Sequence, residues 1–257
     1  MGGTNRLVAG LLSVLSVLGT TARADEPDDS KVWNFTIGGG IAAAPHYEGA
    51  DRDRFRLVPF GSISYDDTVK LGPDGLAVTV LKADGFSVAP VLGYGGGRQD
   101  STDSNLKGLG TIQSAVTAGV ILKYQTGPFS LTITPREAVT HSNDGFVTNF
   151  AAAYAWQIAP RVKLSVGPTL SVADGRYEQT YFGVDAEQSL RSGKRVYSPD
   201  GGVKDVGLTG ALTYALDRHW LLQTAVSDRE LVGDAADSPV VRSKNQASIA
   251  TGIAYHF

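Results

Sequence analysis

The chain has no cysteine and a single methionine among its 257 residues. Without a thiol, disulfide stapling, thiol catalysis and thiolate metal sites are all excluded. Charge is sparse too: Asp, Glu, Lys and Arg make up 19% of the residues and sum to −3, where ordinary soluble domains carry about 25%. That balance offers no basic excess to a nucleic-acid partner. Beyond the N-terminus there is no apolar run of roughly 18 residues, so no helix of the bilayer-spanning kind is expected. What the chain has instead is glycine, 31 residues of it, and a mean hydropathy of −0.06. Its class must come from the pattern.

Residues 1–24 read as a secretory signal peptide: Arg6 supplies charge, Leu7 to Leu18 an apolar stretch too short to be an anchor, and Ala22-Arg23-Ala24 a cleavage site. Cleavage after Ala24 removes two arginines and no acid, and no Cys follows to accept a lipid. The next segment, Asp25-Glu26-Pro27-Asp28-Asp29-Ser30-Lys31, is acidic and reads as a solvated periplasmic tail.

The remainder alternates with period two. Val162, Leu164, Val166, Leu170 and Val172 share one face, with Lys163, Ser165, Gly167, Thr169 and Ser171 on the other. The same pattern runs through 129–136, 146–158 and 206–216. These runs are about 10–13 residues long, where soluble strands average about 5–6. That length, with one apolar and one small or polar face, matches the tilted strands of a membrane barrel. Aromatic residues such as Trp33, Tyr65, Tyr124, Phe129, Trp156 and Trp220 sit at strand ends, where interfacial girdles form. The last strand places Ile249, Ile253, Tyr255 and Phe257 on one face, and Tyr255 with the terminal Phe257 looks like the insertion signal read by the barrel assembly machinery.

Ten clear segments cover about 32–44, 55–65, 86–97, 112–126, 128–138, 146–158, 161–173, 204–216, 219–229 and 245–257. Bacterial single-chain barrels have even strand numbers, short periplasmic turns and longer external loops. The tight turns at Gly127-Pro128, Ala159-Pro160 and Asp217-Arg218 then fall on the periplasmic side together with both termini, and 98–111, 139–145, 174–203 and 230–244 fall outside. Three turn signals in 66–85 bracket two short runs, 68–72 and 76–81. The expectation is a single all-β antiparallel barrel of about twelve strands over 32–257, or ten if 66–85 lies off the wall.

Several separated motifs carry a resemblance. They are Pro45-His46-Tyr47-Glu48-Gly49, Gly95-Gly96-Gly97-Arg98, Leu106-Lys107-Gly108-Leu109-Gly110, Tyr177 to Val184 (with Tyr181, Phe182 and Gly183), Leu231 to Pro239 (with Asp237, Ser238 and Pro239) and the Tyr255-His256-Phe257 ending. In this order they resemble the MltA-interacting protein/OmpV outer-membrane family. The resemblance implies a non-enzymatic protein of the bacterial outer membrane. The family's best-known member is similar to a scaffold joining a murein transglycosylase to a murein synthase, and other members are associated with adhesion or stress responses. The parity argument puts these motif loops on the external side, away from a periplasmic hydrolase. Gly49, Gly183 and Pro239 are therefore read as backbone constraints that fold the loops inward.

No catalytic constellation emerges. His46, His141, His219 and His256 share no metal-ligand spacing and none neighbours a Ser and an Asp. Gly93-Tyr94-Gly95-Gly96-Gly97 precedes no helix and lacks the Lys-Ser/Thr of a phosphate loop. Asp100, Asp103, Asp234 and Asp237 fit no calcium loop and read as solvated loop acids beside lipopolysaccharide. No catalytic, cofactor or metal residue is assigned. Arg136, Arg161, Lys163 and Arg229 are the candidate lumen-lining cations, and the alternative to a scaffold is a narrow small-solute channel.

Overall fold

The computed structural model describes residues 33–140 and 145–257. The signal peptide, the 25–31 tail and His141 lie outside the described residues. The strands, in chain order, are β1 (Trp33–Pro45), β2 (Asp53–Tyr65), β3 (Val69–Gly72), β4 (Gly75–Val78), β5 (Leu81–Ala83), β6 (Phe86–Gly95), β7 (Ala115–Thr126), β8 (Phe129–Ala138), β9 (Phe146–Ala159), β10 (Val162–Ala173), β11 (Gly202–Ala215), β12 (Trp220–Leu231) and β13 (Ser248–His256).

All pairings are antiparallel between sequence neighbours, β1 pairs with β13, and a β4–β6 pairing shuts the ring. Three-residue β5 continues the line of β4 along β6, so the wall is a closed barrel of twelve staves. The two short runs in 66–85 are on the wall, as β3 and β4.

Alternation explains the wall. On β1, Trp33, Phe35, Ile37 and Ile41 are exposed on the outer face, while Ala42 and Ala44 are buried inside. On β12, Trp220, Leu222 and Val226 face out and Leu221, Gln223, Ala225 and Ser227 face in. An apolar exterior with a small and polar interior is the inverse of a soluble domain, and only hydrocarbon outside makes it favourable.

The two rims differ. At one, Asp66-Asp67 (φ 50° and 51°) and Asp84-Gly85 (φ 50° and 83°) make tight reversals with both central residues left-handed, as hairpins whose twist matches the strands require. At the other rim the connections are long and fold into α1 (Gly175–Phe182), α2 (Ala186–Ser192) and α3 (Gly233–Asp237) with short 3-10 turns at Asp100–Thr102 and Ser104–Leu106. Aromatics crowd the turn rim: Trp33 lies 4.8 Å from Tyr65, Phe86 4.3 Å from Tyr124 and Tyr154 4.6 Å from Trp156, between ring centroids.

Inside the wall, Ala42, Ala44, Val58, Ala211, Ala225 and Ala250 form one apolar cluster with Phe60 packed against it. A side chain on Gly38 or Gly252 would meet the Phe60 ring at 2.7–2.8 Å. Glycine there lets the ring lie flat across the interior.

Candidate functional site

The loop rim is closed by its own connections, and the family-like motifs meet there. Asp174 starts this cap: its carboxylate accepts from Tyr177 N at 2.8 Å, capping α1, and from Phe146 N at 3.0 Å, tying the helix to β9. Asp185 caps α2 in the same way, with Gln188 returning a bond to the Asp185 N–H. Tyr177, Tyr181 and Phe182 from α1 pack on Leu231, Ala235 and Ala236. Tyr47 and Ala50 from the β1–β2 loop pack on Leu106, Leu109, Val184 and Val240. Leu106, Phe182, Val184 and Val240 have no exposed surface.

Hydrogen bonds stitch these loops together. Asn105 Nδ2 donates to Tyr47 Oη at 2.7 Å and to the Val240 carbonyl at 2.7 Å. The Ser238 hydroxyl donates to the Phe182 carbonyl and accepts from Val240 N. Gly49 N donates to Gln246 Oε1 at 2.9 Å, and the Gly49 carbonyl accepts from Arg242 N at 2.7 Å. Arg98 is buried and donates through Nη1 to the Tyr181 carbonyl at 2.7 Å. Burial pushes its guanidinium down to about 10, which still leaves it charged.

Beneath the cap lies an ionic cluster. Lys204 Nζ is 2.8 Å from Glu48 Oε1 and 2.7 Å from Asp205 Oδ2, with Lys204 and Asp205 side chains 3% and 2% exposed. Tyr177 Oη donates to Glu48 Oε2 at 2.9 Å, and the Lys204 ammonium lies 5.5 Å from the Tyr177 ring centre. The Ser171 hydroxyl sits 3.0 Å from Asp205 Oδ1, and Arg229 Nη1 is 4.0 Å from Asp205 Oδ2. Burial by itself would raise the Glu48 carboxyl, but the adjacent Lys204 charge overrides it and holds the group below its ordinary value. Glu178 differs: it is buried, its Oε2 has no hydrogen-bond partner, and burial pushes its carboxyl up to about 8.

Lys204 enters this cluster through a bulge. Leu170 opposes Val206 and Ser171 opposes Asp205, but Val172 opposes Val203, so Lys204 is the extra residue. By strict alternation it would share the outer face of Val206 and Leu208, in lipid. The bulge turns it inward. Sequence parity alone misses Lys204, Asp205 and Glu178; the readable signal is a lysine on a lipid-facing register, a costly placement in a spanning strand.

Of the four candidate lumen cations, Arg136 is inward and donates from Nη1 to the Asp74 carbonyl at 3.1 Å, within the wall. Lys163 is half-buried on the inner face of β10. Arg229 belongs to the ionic cluster. Arg161 lies in the turn before β10, exposed, donating to the Leu216 carbonyl at 3.1 Å; it sits on the turn rim and not along the wall. Lys70 and Lys123, unflagged by sequence reasoning, also point inward, and Lys123 lies within electrostatic range of Lys70 and Lys163.

The remaining motif residues are spread over the cap and the opposite rim. Asp237 is exposed and 3.3 Å from Lys244 Nζ, and the Pro239 carbonyl accepts from Lys194 Nζ at 3.1 Å. Phe257 N donates to the Phe35 carbonyl at 3.0 Å, and its ring meets Tyr255 edge-on at 4.8 Å. His219 stacks on Tyr255 at 5.5 Å, His256 Nδ1 is 3.2 Å from Thr36 Oγ1, and His46 is in the β1–β2 loop. Among the described residues no group of three His, Asp or Glu is placed to hold a metal. The cap ions are held by each other and by backbone, an arrangement that clamps the cap to the wall.

A family model described as MltA-interacting protein MipA matches residues 37–257. The chain is 26% identical over 161 residues to a putative outer membrane protein, YiaT, of Escherichia coli K12, covering 62% of this chain and 63% of that protein. It is 26% identical over 161 residues to OmpV of Vibrio cholerae, covering 62% of this chain and 60% of that one. The matches to these relatives thus span somewhat less than two thirds of their length. The MltA-interacting protein of Escherichia coli K12 is 27% identical over 242 residues, 87% of this chain and 90% of that protein. Among solved structures, a KdgM porin aligns with a TM-score of 0.44 at 14% identity, covering 86% of this chain and 99% of that one. Neither this family nor an outer-membrane barrel is a class of enzymes. A closed barrel with an apolar exterior, five separated motifs meeting in one cap and a family match running to the C-terminus agree: this is an outer-membrane protein and a member of the MltA-interacting protein MipA family.

Proposed function

We propose that the chain is a non-enzymatic interaction protein of the cell envelope, an outer-membrane anchor that tethers a murein-modifying enzyme. The observation that carries this reading is the cap. A mouth filled by close-packed loops, with Leu106, Phe182, Val184 and Val240 fully buried, is built as a rigid body and not as an open vestibule. The partner class follows from the relative called MltA-interacting protein, which points to a murein transglycosylase, with a murein synthase as the second party of a scaffold. The cap motifs then serve stability, and recognition falls to the opposite rim. Short turns are the periplasmic side of such barrels, so the partner would meet 66–68, 84–85, 127–128, 160–161 and 217–219, together with the 25–31 tail.

The test is photocrosslinking in intact envelopes from residues placed at Asp67, Asp84 and Arg218, with mass spectrometry of the captured protein. A lytic transglycosylase is expected, with weaker capture after deletion of 25–31. Capture of no murein enzyme from any of the three positions overturns the reading. A second reading, a narrow anion-preferring channel, is favoured by the inward Lys70, Lys123, Lys163 and Arg136. It requires single-channel conductance in planar bilayers that changes with Lys163→Ala, and a silent bilayer rejects it.

A further inference from the structure

The outer wall carries a groove that runs across neighbouring strands. Val166 of β10 opposes Gly210 of β11, Gly210 opposes Val226 of β12, Val226 opposes Ile249 of β13, and Ile249 opposes Ala43 of β1. Alternation puts all five on the lipid-facing side. The row spans four strand spacings of about 4.8 Å, roughly 19 Å. Gly210 and Ala43 are its low points, beside the exposed branched chains of Val166, Val226 and Ile249. A Cβ at Gly210 would meet Val226 Cγ2 at 3.2 Å and Val166 Cγ2 at 3.9 Å, so the missing side chain leaves a notch between them. These residues line a cavity of about 510 Å³ on the outer wall, a size usual for small-ligand sites.

The groove is polar on one side. Asp228 lies two residues beyond Val226, and Asp53 lies two before Phe55, the partner of Ala43. Both steps run toward the loop rim, both acids are exposed, and both line the same cavity. Asp228 accepts from Asn245 Nδ2 at 2.6 Å. Neither acid is in an ion pair with a described residue, and no Lys or Arg is among the described residues of the lining. Carboxylates on the outer face of a spanning wall are a costly placement, and a cation brought by the occupant offsets that cost. A second copy seated about a two-fold axis would bring the same two acids against these, and an anionic lipid is repelled by them. The polarity is that of a lipid with a cationic head: hydrocarbon along the row, ammonium toward the rim.

We propose that this groove is a lipid site selective for a phospholipid with a primary-amine headgroup, of the phosphatidylethanolamine type. One acyl chain lies along the row and over Gly210, and the ammonium donates to the Asp53 and Asp228 carboxylates. Any hydrocarbon chain can cover the apolar row. The acids choose among headgroups, because charge-assisted hydrogen bonds need N–H donors. This inference rests on the outer wall and not on the tethering role, and either can fail alone.

The test reconstitutes the full chain in nanodiscs that contain phosphatidylethanolamine, phosphatidylglycerol and phosphatidylcholine in equal amounts. In parallel samples one of the three carries a diazirine on its acyl chain, and the crosslinks are mapped to peptides. Labelling of 206–212 and 222–228 is expected to be about tenfold higher from phosphatidylethanolamine than from either other lipid, the worth of a charge-assisted contact. Asp53→Asn with Asp228→Asn should bring the three to one level. Gly210→Leu, which fills the notch, should lower labelling there several-fold. Gly39→Leu, which adds a side chain into open space on the same face of β1, should label as wild type. Heat-modifiable electrophoretic mobility reports folding of each variant, and the wild-type headgroup comparison stands whether or not a variant assembles. Equal labelling by phosphatidylglycerol or phosphatidylcholine overturns the proposal, as does a preference that survives the double Asn variant. So does phosphatidylglycerol labelling that depends on Mg²⁺, which makes the acids a divalent bridge, or copy-to-copy crosslinking through Val226, which makes the groove an interface between barrels.

Discussion

Lys204 is the cation on which the cap closes, because two buried carboxylates, Glu48 and Asp205, both lie within 2.8 Å of its ammonium. Removing one partner of a buried ion pair leaves the other charge uncompensated and costs about 3–5 kcal/mol. Lys204→Met is therefore expected to loosen the cap, read as accelerated proteolysis within 174–201, and adding Glu48→Gln and Asp205→Asn should restore much of the loss. Glu178 acts in the opposite sense. Its folded carboxyl sits near 8 against an ordinary 4.5, so folding takes up a proton between these values. Stability is full below about pH 4.5, falls as pH rises and is least above about 8. Glu178→Gln should flatten this dependence in a pH series of cap proteolysis, protecting at pH 8 and changing little at pH 4. At Gly49 the backbone has φ +95°, and an added Cβ would lie 2.6 Å from Val241 Cγ2. Gly49→Ala should cost about 1–3 kcal/mol through left-handed strain and that clash, measured as a lower urea midpoint for cap unfolding.

Among the elements, the long strands were legible in the sequence and their junctions less so. Period-two alternation located ten strands, and no boundary in the structure lies more than three residues from its expected place. The reason is physical: a strand between lipid and lumen must alternate at every residue, so the pattern is dense and repeats. The weaker region was 66–85, where four-residue strands leave too few alternations to fix a register, and only turn residues and parity located them. The bulge at Lys204 could not be placed because it breaks the very periodicity used to find β11. At the end of β13, Phe257 anchors by its backbone to Phe35 and by its ring to Tyr255. Deleting Phe257 is expected to lower the amount of heat-modifiable barrel in the outer-membrane fraction several-fold, with the unfolded form accumulating in the periplasm.

For the whole molecule, the decisive feature is one rim filled by a folded cap and the other left to short turns. A filled mouth predicts a protein silent in planar bilayers, and deletion of 174–201, which removes α1 and α2 and with them the apolar packing over the lumen, should produce conductance. Steady conductance from the intact chain would instead favour the channel reading. Residues as far as 193 positions apart, among them Tyr47, Asn105, Phe182 and Val240, converge in this cap. Nothing in the spacing of Tyr47 and Val240 marks them as neighbours. They meet because β1 pairs with β13, which brings the loops at the two ends of the chain together.

The sequence by itself determined the class: an antiparallel outer-membrane barrel of ten or twelve staves, an apolar outside, and a family. Those properties are written residue by residue in alternation, strand length and local motifs, and need no knowledge of distant contacts. Tertiary structure alone decided three things: which residues of the inward-folding motif loops meet to form one cap, that Lys204 leaves its lipid-facing register to pair with Glu48 and Asp205, and that β3 and β4 stop short of full wall height. Each depends on which strand lies beside which, and closure of the ring settles that after the local pattern has been used up.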